Sequence, residues 1–384
     1  MLEATIIKNG YVVDPESAKI EKKEVGILEG KFIDPSIIKG QVGYVNYIDA
    51  KESYVAPGFI DIHTHVFKDY TYLGIAADEI GINQGVTTIV DAGSTGIEHY
   101  EVFKRKIMNT SKTEVLAFLN ISKKGLCNGG AELANLEDLM DMAEAEKIFE
   151  TEASILGLKA RMSSSVVKDT GIKPLIHARK LSDALNVPIM VHIGNPPPLI
   201  EEILPMLKKG DIVTHAFHGK QKNRIITSNQ TLLPAAIDCL NRGVLFDVGH
   251  GSASFSFKTL AVYKKKYQYP FSISSDLHIK NYNEPVGSLM QTMSKIRGLG
   301  YSLLEVVQAV TSLPAKTLQL NEQGTFAYGT RADVTLFYEK EKSARLIDSE
   351  GDALMVEKVI EPYLTIREGR KVFESNAGTI QNGN

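Results

Sequence analysis

The run Pro57-Gly58-Phe59-Ile60-Asp61-Ile62-His63-Thr64-His65 ends in two imidazoles separated by one residue. On a strand, residues i and i+2 face the same side, so His63 and His65 can both turn toward one ion at the strand's carboxyl end. A pair of core histidines satisfied by hydrogen bonds is the other reading, and the pair alone does not decide. More weight comes from His192, which closes Val187-Pro188-Ile189-Met190-Val191, from His215, which closes Ile212-Val213-Thr214, and from Asp276, which follows Phe271-Ser272-Ile273-Ser274-Ser275. Each taken singly reads equally well as a satisfied core or loop side chain. Separate apolar runs that all end in a potential ligand point instead to a metal centre at strand ends, where parallel barrels gather their site residues.

Lys159 closes the run Ile155-Leu156-Gly157-Leu158, where an ammonium would face a cationic site and could not ligate. A lysine that snorkels to the surface is the alternative. Arg161 reads as a bidentate partner for a substrate carboxylate or as half of a salt bridge. His218 and His278 are candidate substrate contacts, with solvated loop positions as the other reading; His278 also stands where it can orient Asp276. His250 lies between Gly249 and Gly251, which either let a substrate approach closely or form a tight turn. His99 and His177 have no such company and read as structural or exposed. Gly93-Ser94-Thr95-Gly96 lacks both the phosphate-loop lysine and the dinucleotide fingerprint.

The elements that must position these residues are short apolar strands recurring from Pro57 onward: 58–62, 86–90, 115–120, 155–159, 187–192, 212–216, 245–248 and 271–275. Eight is the number that closes a parallel barrel. Between them, Asn135 is placed to cap a helix over 136–149, and 174–185 sets Leu175, Ala178, Leu181 and Leu185 at helical spacing. Both chain ends read differently. Residues 2–13 form strand, Asn9-Gly10 turn and strand, a further strand covers 24–28, and 332–338 and 363–373 are strand-like. Neither end alone has the apolar material for a core, so the two are expected to share one small domain.

A length of 384 residues suits a large barrel plus a small accessory domain. Forty-three basic against 46 acidic residues leave a net charge of -3, which gives no pull toward nucleic acid or an anionic membrane. Cys127 and Cys239 make no disulfide framework and read as reduced thiols of a cytoplasmic protein. No export or membrane-spanning segment is visible.

With His63, His65, Lys159, His192, His215 and Asp276 filling their positions in order, the chain resembles the amidohydrolase superfamily, in its binuclear, dihydroorotase-like branch, over essentially its whole length. Lys159-Ala160-Arg161-Met162-Ser163-Ser164-Ser165 and Ser275-Asp276-Leu277-His278 bring it nearest to deacetylase-type members, often labelled dihydroorotase-like or adenine deaminase. The resemblance implies a distorted (β/α)8 TIM barrel over 57–320, and a small β-sandwich-like domain from 1–56 and 321–384. It implies two divalent ions, zinc foremost. His63 and His65 would hold the more buried ion and His192 and His215 the second, bridged by Lys159 as a carbamate made with carbon dioxide. Asp276 would contact the first ion and, as the catalytic residue, move protons while a bridging hydroxide hydrolyses an amide or ester. Deacetylation of a small N-acyl or O-acyl carboxylate compound is the leading expectation, with Arg161, His218, His250 and His278 as substrate contacts. The alternatives are cyclic amide hydrolysis of the dihydroorotase or hydantoinase kind, an adenine deaminase-like reaction, and a noncatalytic barrel scaffold. Val66-Phe67-Lys68-Asp69 stands where dihydroorotases carry a substrate-binding arginine, which weighs against dihydroorotate. The expected partner is a small acylated or cyclic amide substrate, with no nucleic acid or membrane, and a homo-oligomer is open to such a chain.

Overall fold

A computed structural model describes residues 4–41 and 44–375. Residues 1–3, 42–43 and 376–384, which the sequence reading assigns to the terminal domain, lie outside the described residues. The chain starts with short strands: β1 (Ala4–Lys8), β2 (Tyr11–Asp14), β3 (Lys19–Lys22), β4 (Val25–Leu28), β5 (Lys31–Ile33), β6 (Asn46–Asp49) and β7 (Tyr54–Pro57). Asn9 makes the turn between β1 and β2 with φ 59°, a left-handed conformation that asparagine tolerates. Four of these strands form a sheet in the order β5-β4-β1-β6.

Next come β8 (Phe59–Thr64), β9 (Val86–Ala92), β10 (Glu114–Asn120), β11 (Ile155–Met162), β12 (Ile189–Ile193), β13 (Ile212–Thr214), β14 (Leu245–Asp247) and β15 (Phe271–Ser272). They pair in parallel and in chain order as one eight-stranded sheet, with helical segments in the connections. Both faces of the sheet are covered, which is why its strands read as apolar runs rather than alternating ones. Ile60, Ile62, Val90, Phe118, Met190 and Ile212 pack with Leu318, whereas Val191, Val213 and Phe246 belong to a separate, larger cluster that includes the helix residues Leu181 and Leu260. This is the distorted (β/α)8 barrel that the resemblance implied.

Its distortion lies at the seam. β15 is shorter than the expected 271–275, and beyond Ser272 side chains reinforce the backbone bonds that His250 and Gly251 N–H donate to the Ser274 and Ser275 carbonyls. Ser275 donates its N–H (3.1 Å) and its hydroxyl to the buried Asp61 carboxylate, and Ser272 and Ser274 donate to Asp247 at 2.7 and 2.6 Å. Asp276 N–H then donates to the His63 carbonyl (2.7 Å), and His65 N–H to the Leu277 carbonyl (2.9 Å). The first and last strands of the barrel are therefore joined beside the residues with metal-ligand chemistry.

The helix expected over 174–185 forms at Lys173–Leu185 and buries Leu175, Ala178 and Leu181. The one expected over 136–149 starts later. Asn135 accepts from Glu137 N–H but caps only a 3₁₀ turn, Leu136–Asp138. The helix proper is Met142–Thr151, started by a capping box in which Asp141 and Glu144 each accept the other's N–H at 2.9 Å.

The chain ends join as expected. β16 (Val334–Ile347), β17 (Ala353–Arg367) and β18 (Arg370–Glu374) complete a second mixed sheet in the order β18-β17-β16-β7-β2-β3. Ile7, Val12, Val25 and Phe32 share a core with Val334, Leu336, Leu364 and Ile366, which neither end could build alone. The long β16–β17 hairpin carries its turn back to the barrel, where Phe257 N–H donates to Asp348 at 2.9 Å.

If Asp61 fastens the seam, Asp61→Ala leaves two donors of Ser275 without an acceptor and should cost about 2 to 4 kcal/mol in urea unfolding. A loss below about 0.5 kcal/mol would show that the barrel closes without it.

Candidate metal centre

His63 and His65 stand where the β8 ladder shifts register between Asp61 and Thr64, so the plain strand alternation is broken at this point. Both rings nevertheless reach Asp276, with Nε2 of His63 and His65 at 3.4 and 3.2 Å from its Oδ1. Lys159, fully buried on β11, brings Nζ to 3.3 Å from His63 Nε2. His215 Nε2 lies 3.9 Å from Asp276 Oδ2, and the His192 ring meets His215 edge-on at 4.3 Å between centroids. These residues come from β8, β11, β12 and the segments just after β8, β13 and β15, and converge at one mouth of the barrel.

The rings are held from behind. Thr214 donates its hydroxyl to Asp247 at 2.7 Å, so its oxygen accepts the Nδ1–H of His63, also at 2.7 Å. His215 donates Nδ1–H to the Gly249 carbonyl at 2.6 Å, a partner that can only accept. Nδ1 of His65 pairs with Ser94 at 2.9 Å, and Ser94 N–H is in turn bound by Asp91. With the protons on Nδ1 in His63 and His215, each presents a bare Nε2 to the site, the form in which a histidine ligates a metal. Two of the converging residues also hold left-handed backbone, His215 at φ 64° and Asp276 at φ 50°. For non-glycine residues this costs on the order of 1 to 3 kcal/mol, and such strain gathers at functional sites.

Burial keeps His63 and His192 well below the ordinary imidazole value and pushes His215 down to about 3. For Asp276, burial pushes upward but is outweighed by His63, His65 and His215, which hold the carboxyl well below the usual carboxylate range. The bare Nε2 lone pairs of His63 and His215 and the Asp276 carboxylate together make a set of electron-pair donors that a divalent cation satisfies. The donor set therefore fits a divalent ion: His63, His65 and Asp276 offer ligand atoms within 4.8 Å of one another. Among the described residues a second carboxylate group, Asp348, Glu350 and Asp352, lies in the β16–β17 turn. Its oxygens are engaged by Phe257 N–H, the Ser256 hydroxyl and Lys258.

Burial also pushes the Lys159 amine down to about 7, against the opposing pull of Asp276. Arg161 lies opposite His192 in the β11–β12 ladder and donates Nη1 to both oxygens of the buried Glu132 at 3.0 Å. The His278 ring sits 6.3 Å from His65, with Nε2 at 3.4 Å from the Ser252 hydroxyl. His218 is buried, its Nε2 bound to the Asn223 carbonyl and its Nδ1 accepting Lys220 N–H. His250 is also buried, with its ring nitrogens against Gly251 O, Ser349 Oγ and Lys295 Nζ. His99 and His177 lie elsewhere: His99 ends a 3₁₀ turn and His177 meets the Met140 carbonyl. Sequence reasoning missed Asp61, Asp247, Thr214, Ser94 and Glu132. Asp247 carried a usable signal, an acidic residue ending an apolar strand run; Glu132 carried none, since it is tied to Arg161 only by folding.

Comparison with known proteins follows the same lines. The sequence profile of the amidohydrolase family matches residues 54–360. A deacetylase of Enterococcus faecalis is 35% identical over 369 residues, 95% of this chain and 98% of that protein. A deacetylase of Brucella anthropi is 37% identical over 328 residues, 84% of this chain and 80% of that protein. The crystal structure of an adenine deaminase superposes with a TM-score of 0.89 at 35% identity, covering 97% of this chain and 100% of that one. Among the described residues no helix is long and apolar enough to cross a membrane.

The buried rings give a pH signature. In the unfolded chain an imidazole takes up a proton near pH 6.5, whereas folded His63, His192 and His215 resist it. Each therefore contributes stability that is complete above pH 6.5 and is lost as pH falls toward the folded value. In metal-free protein these three rings should stay neutral from pH 7.5 to about 5 by histidine ¹⁵N NMR. Protonation midpoints near 6.5 would contradict this burial.

Proposed function

This chain belongs to the amidohydrolase family, and we propose that it is a deacylase, acting on the amide or ester bond of a small N-acyl or O-acyl carboxylate, acetyl above all. The observation that carries this reading is the convergence of His63, His65 and Asp276, with Lys159, His192 and His215 beside them, at one barrel mouth. Likeness to deacetylases over most of the chain supports the choice of bond.

In this reading His63, His65 and Asp276 would hold one zinc-type ion and His192 and His215 a second, and Lys159, as a carbamate, would supply further oxygen ligands. An amine adds carbon dioxide only as the free base, and a Lys159 value near 7 makes that form available at neutral pH. When bound, the ions supply Lewis acidity, lowering the pKa of a water and polarising the acyl carbonyl. Asp276, ionised and beside His63 and His65, accepts the proton of the attacking water and returns it to the departing amine or alkoxide. Thr214, Ser94 and the Gly249 carbonyl keep the imidazoles facing inward while this happens. Arg161, fixed by Glu132 next to His192, is the anchor for the substrate carboxylate, and His278 stands at the rim near His65. We place His218 and His250 among the loop supports, because both ring nitrogens of each meet protein partners.

Deamination is the second reading, favoured by the structural likeness to an adenine deaminase. Opening of a cyclic amide uses the same attack, but Val66 and Phe67 are buried after His65 and supply no arginine there. Zinc- or manganese-loaded protein tested on N-acetyl amino acids, O-acetyl hydroxy acids, cyclic amides and adenine should release acetate from an acetylated carboxylate. Ammonia from adenine, or ring opening, with no acetate from any ester or amide would replace this reading with the second or the cyclic one. Turnover on none of the classes, with metal bound, would favour a scaffold.

Two variants test the assigned roles. Asp276→Asn should lower turnover per bound metal by about 10² to 10⁴, and near wild-type turnover would remove Asp276 from the proton path. Protein equilibrated with ¹³C-bicarbonate and zinc should show a carbamate resonance that Lys159→Met lacks. Its absence from active wild-type protein would leave Lys159 unmodified.

A further inference from the structure

Lys295 is a fully buried lysine that the chemistry above does not use. It lies on the helix Leu289–Gly298, and its Nζ donates to Nε2 of His250 at 2.8 Å and to the Pro285 carbonyl. No carboxylate pairs with it at salt-bridge distance among the described residues. Burying an ammonium with such partners is costly, and an apolar side chain of similar length would fill the space at lower cost. Core packing therefore does not explain its presence.

What Lys295 grips does. His250 donates Nδ1–H toward the Gly251 carbonyl at 3.0 Å, an acceptor only, which leaves Nε2 as the lone pair that Lys295 takes. On one side of His250, the Gly249 carbonyl orients His215; on the other, Gly251 packs against Asp276. Both glycines have positive φ, 46° and 55°. A Cβ on Gly249 would collide with Thr214 Oγ1, and one on Gly251 with Asp276 Oδ2. The backbone of this loop thus forms the wall behind two of the candidate ligands, with His250 as its handle. Ser349, at the turn of the β16–β17 hairpin, holds the same loop from outside, donating its hydroxyl toward the carbonyls of His250 (3.1 Å) and Gly251 (2.8 Å).

We propose that Lys295 is a positioning residue for the metal centre: by clamping His250 it fixes loop 249–251, and through it the orientation of His215 and the setting of Asp276, with Ser349 as a second clamp. The inference rests on the metal-centre reading above. Its measure is metal affinity, because positioning residues behind ligands typically contribute 10- to 100-fold.

The test is zinc titration of the stripped full-length chain against a chromogenic chelator, with thermal unfolding of the metal-free form alongside. Lys295→Met should lower the metal-free unfolding midpoint, because His250 Nε2 and the Pro285 carbonyl lose their donor, and in addition should bind zinc about 10- to 100-fold more weakly. A merely structural lysine would give the lowered midpoint with zinc affinity intact, and that result overturns the proposal. Should Lys295→Met not fold, Ser349→Ala decides: weaker zinc binding supports the clamp and unchanged binding overturns it. Wild-type protein that binds no zinc would instead overturn the site reading on which the clamp depends.

Discussion

The carboxylate of Asp276 and Nε2 of His63 and His65 are held within 3.4 Å of each other inside a barrel, and the carboxylate and the bare His63 nitrogen are both electron-pair donors that a cation would satisfy. That enforced proximity organises the rest of the mouth. It requires partners that fix which nitrogen carries the proton, and Thr214 with Asp247, and the Gly249 carbonyl, fill that role. Left-handed backbone at His215 and Asp276 is part of the same demand, since ordinary strand geometry would not carry those side chains to the same point.

The seam of the barrel lies in the same place for a related reason. Where the β15 ladder ends, the run Ser272-Ile273-Ser274-Ser275 keeps backbone bonds from Val248, His250 and Gly251 N–H and adds its hydroxyls, bound by the carboxylates of Asp61 and Asp247. Burial pushes these carboxyls up to about 7 and about 6, and those hydroxyl bonds oppose the shift. The terminal domain takes part as well, because the turn of its β16–β17 hairpin reaches the loop after β14.

Strand positions were legible in the sequence because a two-sided parallel sheet writes itself as apolar runs, and each of the eight runs became a strand. The residues at their ends were legible for the same reason, since a histidine or aspartate that closes such a run stands out. The start of the helix Met142–Thr151 was misplaced because Asn135 is a good cap, while the Asp141 and Glu144 box downstream is stronger. The supports behind the site were the least visible. Glu132 with Arg161, and Lys295 with His250, pair across 29 and 45 positions of chain, and no local pattern announces such contacts.

The central claim is that these side chains hold two ions together. Anomalous diffraction at the zinc edge, from crystals grown with zinc and bicarbonate, tests it most directly. Two peaks are expected, one against His63, His65 and Asp276 and one against His192 and His215, with continuous density from Lys159 between them. A single peak, or zinc found only at Asp348, Glu350 and Asp352, would contradict it.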